Sequence, residues 1–175
     1  DIPPRMYEPI LWQDKYAHLP RDRVLDLAQQ LLSKPNGDDV VVHALSRKLR
    51  GKESDEDTLG ADFRRIGLRA AIQSLTREHR SYSGSIGYRM ELVVEAALRF
   101  DGNETEKRDW LDTIFAAVDK HYGYIHAFKR AIDTTAGLMP EAFLNRIFEG
   151  TKEQQRRRLF FIHHSGLRQS PISKI

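Results

Sequence analysis

Between Leu59 and Arg80, in the stretch LGADFRRIGLRAAIQSLTREHR, apolar residues recur on two separate sides of one helical wheel. At about 100° per residue, Leu59, Phe63, Ile66 and Ala70 fall on one line, and Leu68, Ala71, Ile72 and Leu75 on the roughly opposite one. Asp62, Arg65, Arg69, Gln73, Thr76 and Arg80 form the polar line between them, while the small residues Gly60, Gly67 and Ser74 occupy much of the other seam. A helix with one apolar stripe packs on one layer. This pattern predicts a long helix packed on two, at the centre of an all-α domain.

The same reading extends along the chain. Val24, Leu27, Ala28 and Leu31 predict a helix from about Pro20, stopped by Lys34-Pro35-Asn36-Gly37. Asp38 or Asp39 then caps a helix whose inward residues are Val41, Ala44, Leu45 and Leu49. GKESDED, residues 51–57, reads as a solvated loop before the central helix. After the turn at Ser81–Ser85, Ile86, Met90, Val93, Val94, Ala97 and Leu98 form the next buried stripe. Asn103 with Glu106 fits a capping pattern, opening a helix with Leu111, Ile114, Phe115, Val118 and Tyr122 inward and Lys107, Arg108, Asp109, Asp112 and either Asp119 or Lys120 on its outer face.

Gly123 leaves open whether the stripe of Tyr124, Ile125, Phe128, Ala131 and Ile132 starts a new helix. Pro140 opens a short helix with Phe143, Leu144, Ile147 and Phe148 inward, and Thr151 with Gln154 opens a last one running to about His164. The fold class is therefore all-α, with seven or eight helices packed as antiparallel hairpins around a helix over about 58–80. Helix pairs begin near residues 20, 58, 104 and 140 but share no alignable signature, which favours a compact orthogonal bundle over a regular α-solenoid. Residues 1–19, with three prolines among the first nine, read as an extended segment docking on the domain; 20–166 form a single domain and 167–175 a frayed tail. A start at Asp1 with a proline-rich DIPPRMYEP fits a piece of a larger multidomain protein.

Composition narrows the chemistry. The 175 residues include no cysteine, which removes disulfides, thiolate metal sites and cysteine nucleophiles and favours a cytoplasmic location. The longest apolar runs, such as Leu159 to Ile162, fall far short of the ~20 residues a membrane span needs. No membrane partner is expected. The net charge of +3 is unevenly distributed: residues 1–150 hold 22 Lys and Arg against 24 Asp and Glu, and residues 151–175 hold 6 against 1. Basicity belongs to the C-terminal end.

No catalytic motif emerges. His121 and His126 are five apart and His163 and His164 adjacent, spacings that do not place two ligands on one helical face; Asp39 and His43 lack a third. Neither a metal nor a cofactor is predicted. Ser83-Gly84-Ser85-Ile86-Gly87 matches no phosphate loop or nucleophile turn and reads as a helix start.

The candidate contact residues are Lys152, Arg156, Arg157, Arg158 and Arg168, with Arg65, Arg69 and Arg80 as a possible extension of that surface. Three consecutive arginines cover about 200° of a helix, so at least one must flank the buried face. The expected function is a non-catalytic helical interaction or regulatory module that organises a protein partner or neighbouring domains. The alternative is a nucleic-acid-associated module contacting phosphates through the basic end.

Overall fold

The computed structural model describes residues 2–12, 18–50, 60–77, 84–100, 103–120 and 129–165. Outside them lie the acidic loop at 51–57, Leu59, Arg80, the turn at 81–83, residues 121–128 with the ambiguous Gly123, Arg168 and the tail at 167–175.

A short 3-10 turn, Pro4–Tyr7, leads into α1 (Glu8–Trp12). This segment is helical where its prolines predict extension. Pro4 and Pro9 each fall in the first turn of their element, where a missing N–H costs nothing. The remaining described helices are α2 (Arg21–Leu32), α3 (Gly37–Arg50), α4 (Gly60–Thr76), α5 (Gly84–Phe100), α6 (Glu104–Lys120), α7 (Lys129–Leu138), α8 (Pro140–Phe148) and α9 (Lys152–Ser165). Nine α-helices among the described residues replace the expected seven or eight. The added one is α1.

The α2–α3 corner shows how the stop signal acts. Asn36 takes a φ of 60°, in the left-handed region that asparagine tolerates, and a Cβ on Gly37 would sit 1.7 Å from the Leu31 carbonyl oxygen. Only glycine fits there. Asp38 and Asp39, expected to precede α3 as its cap, fall inside its first turn, because the helix starts at Gly37; Asp38 is buried and ion-paired with Arg77, which follows α4 and also donates to Asn36 Oδ1 at 2.6 Å. Gln73 of α4 donates to the carbonyl of Leu32 at 2.9 Å, so the end of α2 is closed from the same side.

The helix α4 touches α2, α3, α5 and α6, and α3 touches α1, α2, α4 and α5 as well as the 3-10 turn. Among the described residues both predicted apolar lines turn inward: Phe63, Ile66 and Ala70 are buried on one side, Leu68, Ala71 and Leu75 on the other, with Ile72 partly buried against the core. Asp62, Arg65, Arg69, Gln73 and Thr76 are exposed, as the polar line predicts. Gly60, Gly67 and Ser74 are also buried, and at Gly67 the helix lies against Val93 of α5 and Leu45 of α3. Thus α3, α4 and α5 pack on one another, α1 and α2 lie on α3, and α7 lies on α5.

The second half is tied to α6. Trp110, absent from the predicted stripe, is fully buried and its Nε1–H donates to Thr135 Oγ1 of α7 at 2.8 Å. Phe115 packs on Phe143 of α8 with ring centroids 5.0 Å apart. Replacing Trp110 by Phe removes the buried hydrogen bond and part of the ring; it is expected to cost about 1–3 kcal/mol, read as a lowered urea midpoint.

Candidate functional site

The basic end predicted from sequence folds as α9, and its start forms the reciprocal cap. Gln154 N–H donates to Thr151 Oγ1 at 3.2 Å, and Thr151 N–H donates to Gln154 Oε1 at 2.9 Å. At Asn103 only half of the analogous pattern appears: Glu106 N–H donates to Asn103 Oδ1 at 2.8 Å, while the Glu106 carboxylate lies 3.8 Å from Arg65.

The three arginines of α9 take three different directions. Arg158 turns inward and is 5 % exposed. Its Nε and Nη2 donate to the two Asp119 oxygens at 3.0 and 2.5 Å, and Nη1 donates to the carbonyls of Arg146 and Glu149 at 2.6 and 3.0 Å. The guanidinium also lies 5.1 Å from the Phe115 ring centroid. One side chain therefore joins α9 to α6 and closes the last carbonyls of α8. Arg158 is a packing residue, and the surface predicted to include it lacks it. Arg157 is exposed and pairs one turn back with Glu153, a contact of little net weight. Lys152 and Arg156 are exposed on the outer side.

That outer side carries apolar groups as well. Leu159, Lys152, His163, Arg156 and Phe160 fall within a sector of roughly 100° on α9, and all five are exposed. Leu159 is 44 % and Phe160 50 % exposed. Phe148, predicted to lie on the buried face of α8, is instead 59 % exposed. Gln155 Nε2 holds the Phe148 carbonyl at 2.6 Å, one turn before Leu159, which places the end of α8 beside this face. Three large exposed apolar residues thus accompany the cations. Sequence reasoning missed them, although a run of four, Leu159 to Ile162, spans about 300° of helix and cannot all face inward.

The proposed extension lies elsewhere. Arg65 meets α6 at Glu106, near its start, whereas α9 meets α6 at Asp119, thirteen residues or about 20 Å further along. Arg69, one turn beyond Arg65, is exposed on the same side of α4. The basic residues of α4 and α9 are separated by the length of α6.

An open groove of about 580 Å³ runs between α6 and α8 over Leu111 and Met139. Its charges are largely set against one another: Lys107 to Glu104 at 3.0 Å, and Arg146 to Asp112 at 2.7 Å and to Glu149. The hydrogen bond to Glu149 leads the contributions that hold the Arg146 guanidinium above its ordinary pKa, outweighing partial burial. Among the described residues no hydroxyl, thiol or imidazole lines the groove, so none of them pairs a nucleophile with a base there. His43 is turned to Glu8 of α1, 2.5 Å away, rather than forming a metal pair with Asp39, and among the described residues no three ligand-type side chains gather. No described helix is long and apolar enough to cross a membrane.

No known family model, curated protein or solved structure matches this chain. The reading of function rests on the site itself.

Proposed function

We propose that this chain is a non-catalytic helical interaction module of a larger cytoplasmic protein, an orthogonal bundle of antiparallel hairpins that binds a partner protein through the outer face of α9 and the end of α8. The observation that carries this reading is the exposure of Phe148, Leu159 and Phe160 beside Lys152 and Arg156. Large apolar side chains rimmed by like charges are the composition of a protein contact. The partner patch that complements it is apolar with an acidic rim. Either neighbouring domains of the same protein or a separate chain can supply it, and holding two such bodies in a fixed relation is the regulatory role that follows.

The nucleic-acid alternative draws support from Arg156 and Phe160, an exposed cation and aromatic ring one turn apart, which suits phosphate contact with base stacking. Its cationic footprint is small, since Arg158 is committed inward and Arg157 faces Glu153.

Two experiments separate the readings. A photo-crosslinking residue at Leu159 identifies the partner, and affinity for that purified partner is expected to fall at least tenfold in Leu159→Ser/Phe160→Ser and severalfold in Lys152→Glu/Arg156→Glu. Binding to short DNA and RNA at about 50 and 200 mM salt supplies the other arm. Oligonucleotide binding that falls steeply with salt and is lost in Arg156→Glu would replace the protein-contact reading by the nucleic-acid one.

A further inference from the structure

The corner between α2 and α3 needs two particular residues, and together they form a reactive pair. Asn36 carries the left-handed φ of 60°, which asparagine tolerates, and Gly37 has the Leu31 carbonyl oxygen where a side chain would begin. In such a pair the nitrogen of the glycine can attack the side-chain amide of the asparagine before it, because no Cβ crowds the approach. The other two asparagines lack this neighbour: Asn103 is followed by Glu104 and Asn145 by Arg146. The fold thus demands the most reactive asparagine dipeptide at one place.

Both reacting groups are engaged elsewhere. The Gly37 N–H donates to the Lys34 carbonyl at 3.0 Å, and Arg77 Nη1 donates to Asn36 Oδ1 at 2.6 Å. The nitrogen is directed back into the turn, and the side-chain carbonyl toward the end of α4. Gly37 is buried while Asn36 is exposed, so water reaches the amide and the nucleophile is enclosed. Arg77 is itself fixed, because the same guanidinium pairs with buried Asp38 and lies 3.6 Å from Asp39. Gln73 adds a second tie from α4, to the Leu32 carbonyl at 2.9 Å. Breaking these few contacts releases the corner by a local opening that leaves the second half of the molecule folded.

We propose that Asn36-Gly37 is a site of spontaneous covalent modification, protected while Arg77 holds Asn36 and reactive once that contact breaks. The Gly37 nitrogen gives its proton to water and bonds to Asn36 Cγ; the bond from Cγ to the side-chain nitrogen breaks, and that nitrogen takes a proton and leaves as ammonia. Water then adds to the succinimide. Breaking the bond between Cγ and the Gly37 nitrogen gives aspartate. Breaking the bond between the Asn36 main-chain carbonyl carbon and that nitrogen gives isoaspartate, with the main chain rerouted through Cβ and Cγ. The net change is an amide and water converted to an acid and ammonia, with no oxidation or reduction. Either product adds a carboxylate beside Asp38 and Asp39, and isoaspartate also lengthens the main chain where Gly37 is pressed against Leu31. The corner then cannot close as before, so a transient opening becomes permanent.

The full chain is incubated at neutral pH while peptide mapping by mass spectrometry follows the loss of Asn36, and enzymatic methylation of the mapped peptides reads isoaspartate. A synthetic peptide of residues 32–39 gives the unprotected rate, and Asn103 and Asn145 serve as internal references. Wild type is expected to lose Asn36 at least about tenfold more slowly than the peptide. Arg77→Lys keeps a cation for Asp38 but lacks the second arm that reaches Asn36, and should react at least about threefold faster than wild type. Circular dichroism verifies the fold of each variant. Trp110→Phe, which lowers stability from the other half of the molecule, should stay within about twofold of wild type. A wild type that reacts as fast as the peptide would overturn the proposal, as would a folded Arg77→Lys no faster than wild type. So would Trp110→Phe speeding the loss as much as Arg77→Lys, because global unfolding would then be the route. Aspartate formed without isoaspartate would equally reject it, since direct hydrolysis would have replaced ring closure.

Discussion

Replacing Arg158 with alanine is expected to destabilise the domain by about 3–5 kcal/mol, although the position is one of three consecutive arginines on a basic helix. The cost comes from what the guanidinium leaves behind. Asp119, largely buried, loses two charge-assisted bonds, and the carbonyls of Arg146 and Glu149 lose their shared donor. Gln154 retains only a longer contact to Asp119 at 3.3 Å. Against the roughly 5–15 kcal/mol that domains of this size possess, such a loss is a large fraction of the whole. Arg157→Ala, one residue away, removes an exposed pair with Glu153 and should change stability by about 0.5 kcal/mol or less. Urea unfolding monitored at Trp110 separates the two variants. Replacing Asp119 by Leu in an Arg158→Met background should recover stability relative to Arg158→Met alone, because it removes the orphaned charge; no recovery would show that the carbonyls of α8, not Asp119, dominate.

The inward turn of Arg158 also marks where sequence reading stops. Local spacing is sufficient to say that three adjacent arginines cannot share one face, but the residue that turns inward is decided by Asp119, thirty-nine positions earlier. Asp119 itself reads as solvent-facing because it lies on the same side of α6 as Lys107, Arg108 and Asp112. Asp119 instead meets Arg158 across a helix contact, whereas Asp112 is exposed as expected and also reaches Arg146. Trp110 escaped for a related reason: it stands about 100° from Leu111, off the main stripe, and is covered from another side by α7. Phe148 failed in the opposite sense. It continues the apolar face of Phe143, Leu144 and Ile147, but α8 ends there and Phe148 is left 59 % exposed. In each case period and propensity describe the helix correctly and leave its partner undetermined. The candidate contact face was legible only in its charges, because the apolar half depends on which residues of α9 and α8 remain uncovered after packing.

In α4 the pattern did carry tertiary information, and Gly67 provides its sharpest test. Two apolar lines on one helix require neighbours on both sides, and the small seam of Gly60, Gly67 and Ser74 lets them approach. A Cβ at Gly67 would lie 2.6 Å from Val93 Cγ1 and 3.1 Å from Leu45 Cδ1. The first is closer than two carbons can come, and Val93 is a fully buried, β-branched side chain with few alternative rotamers. Gly67→Leu must therefore separate α4 from α3 and α5 together, and is expected to cost about 3 kcal/mol or more, at the upper end of overpacking effects. Gly67→Ala brings only the one atom, and alanine's helix preference of roughly 1 kcal/mol over glycine offsets part of the strain. Its net cost should be about 0–2 kcal/mol. Removing the obstructing methyl tests the mechanism: in a double-mutant cycle, Val93→Ala should make Gly67→Ala less costly by at least about 0.5 kcal/mol. Additive effects would mean that the three helices meet differently at this crossing, and that the small seam owes its glycines to something other than close approach.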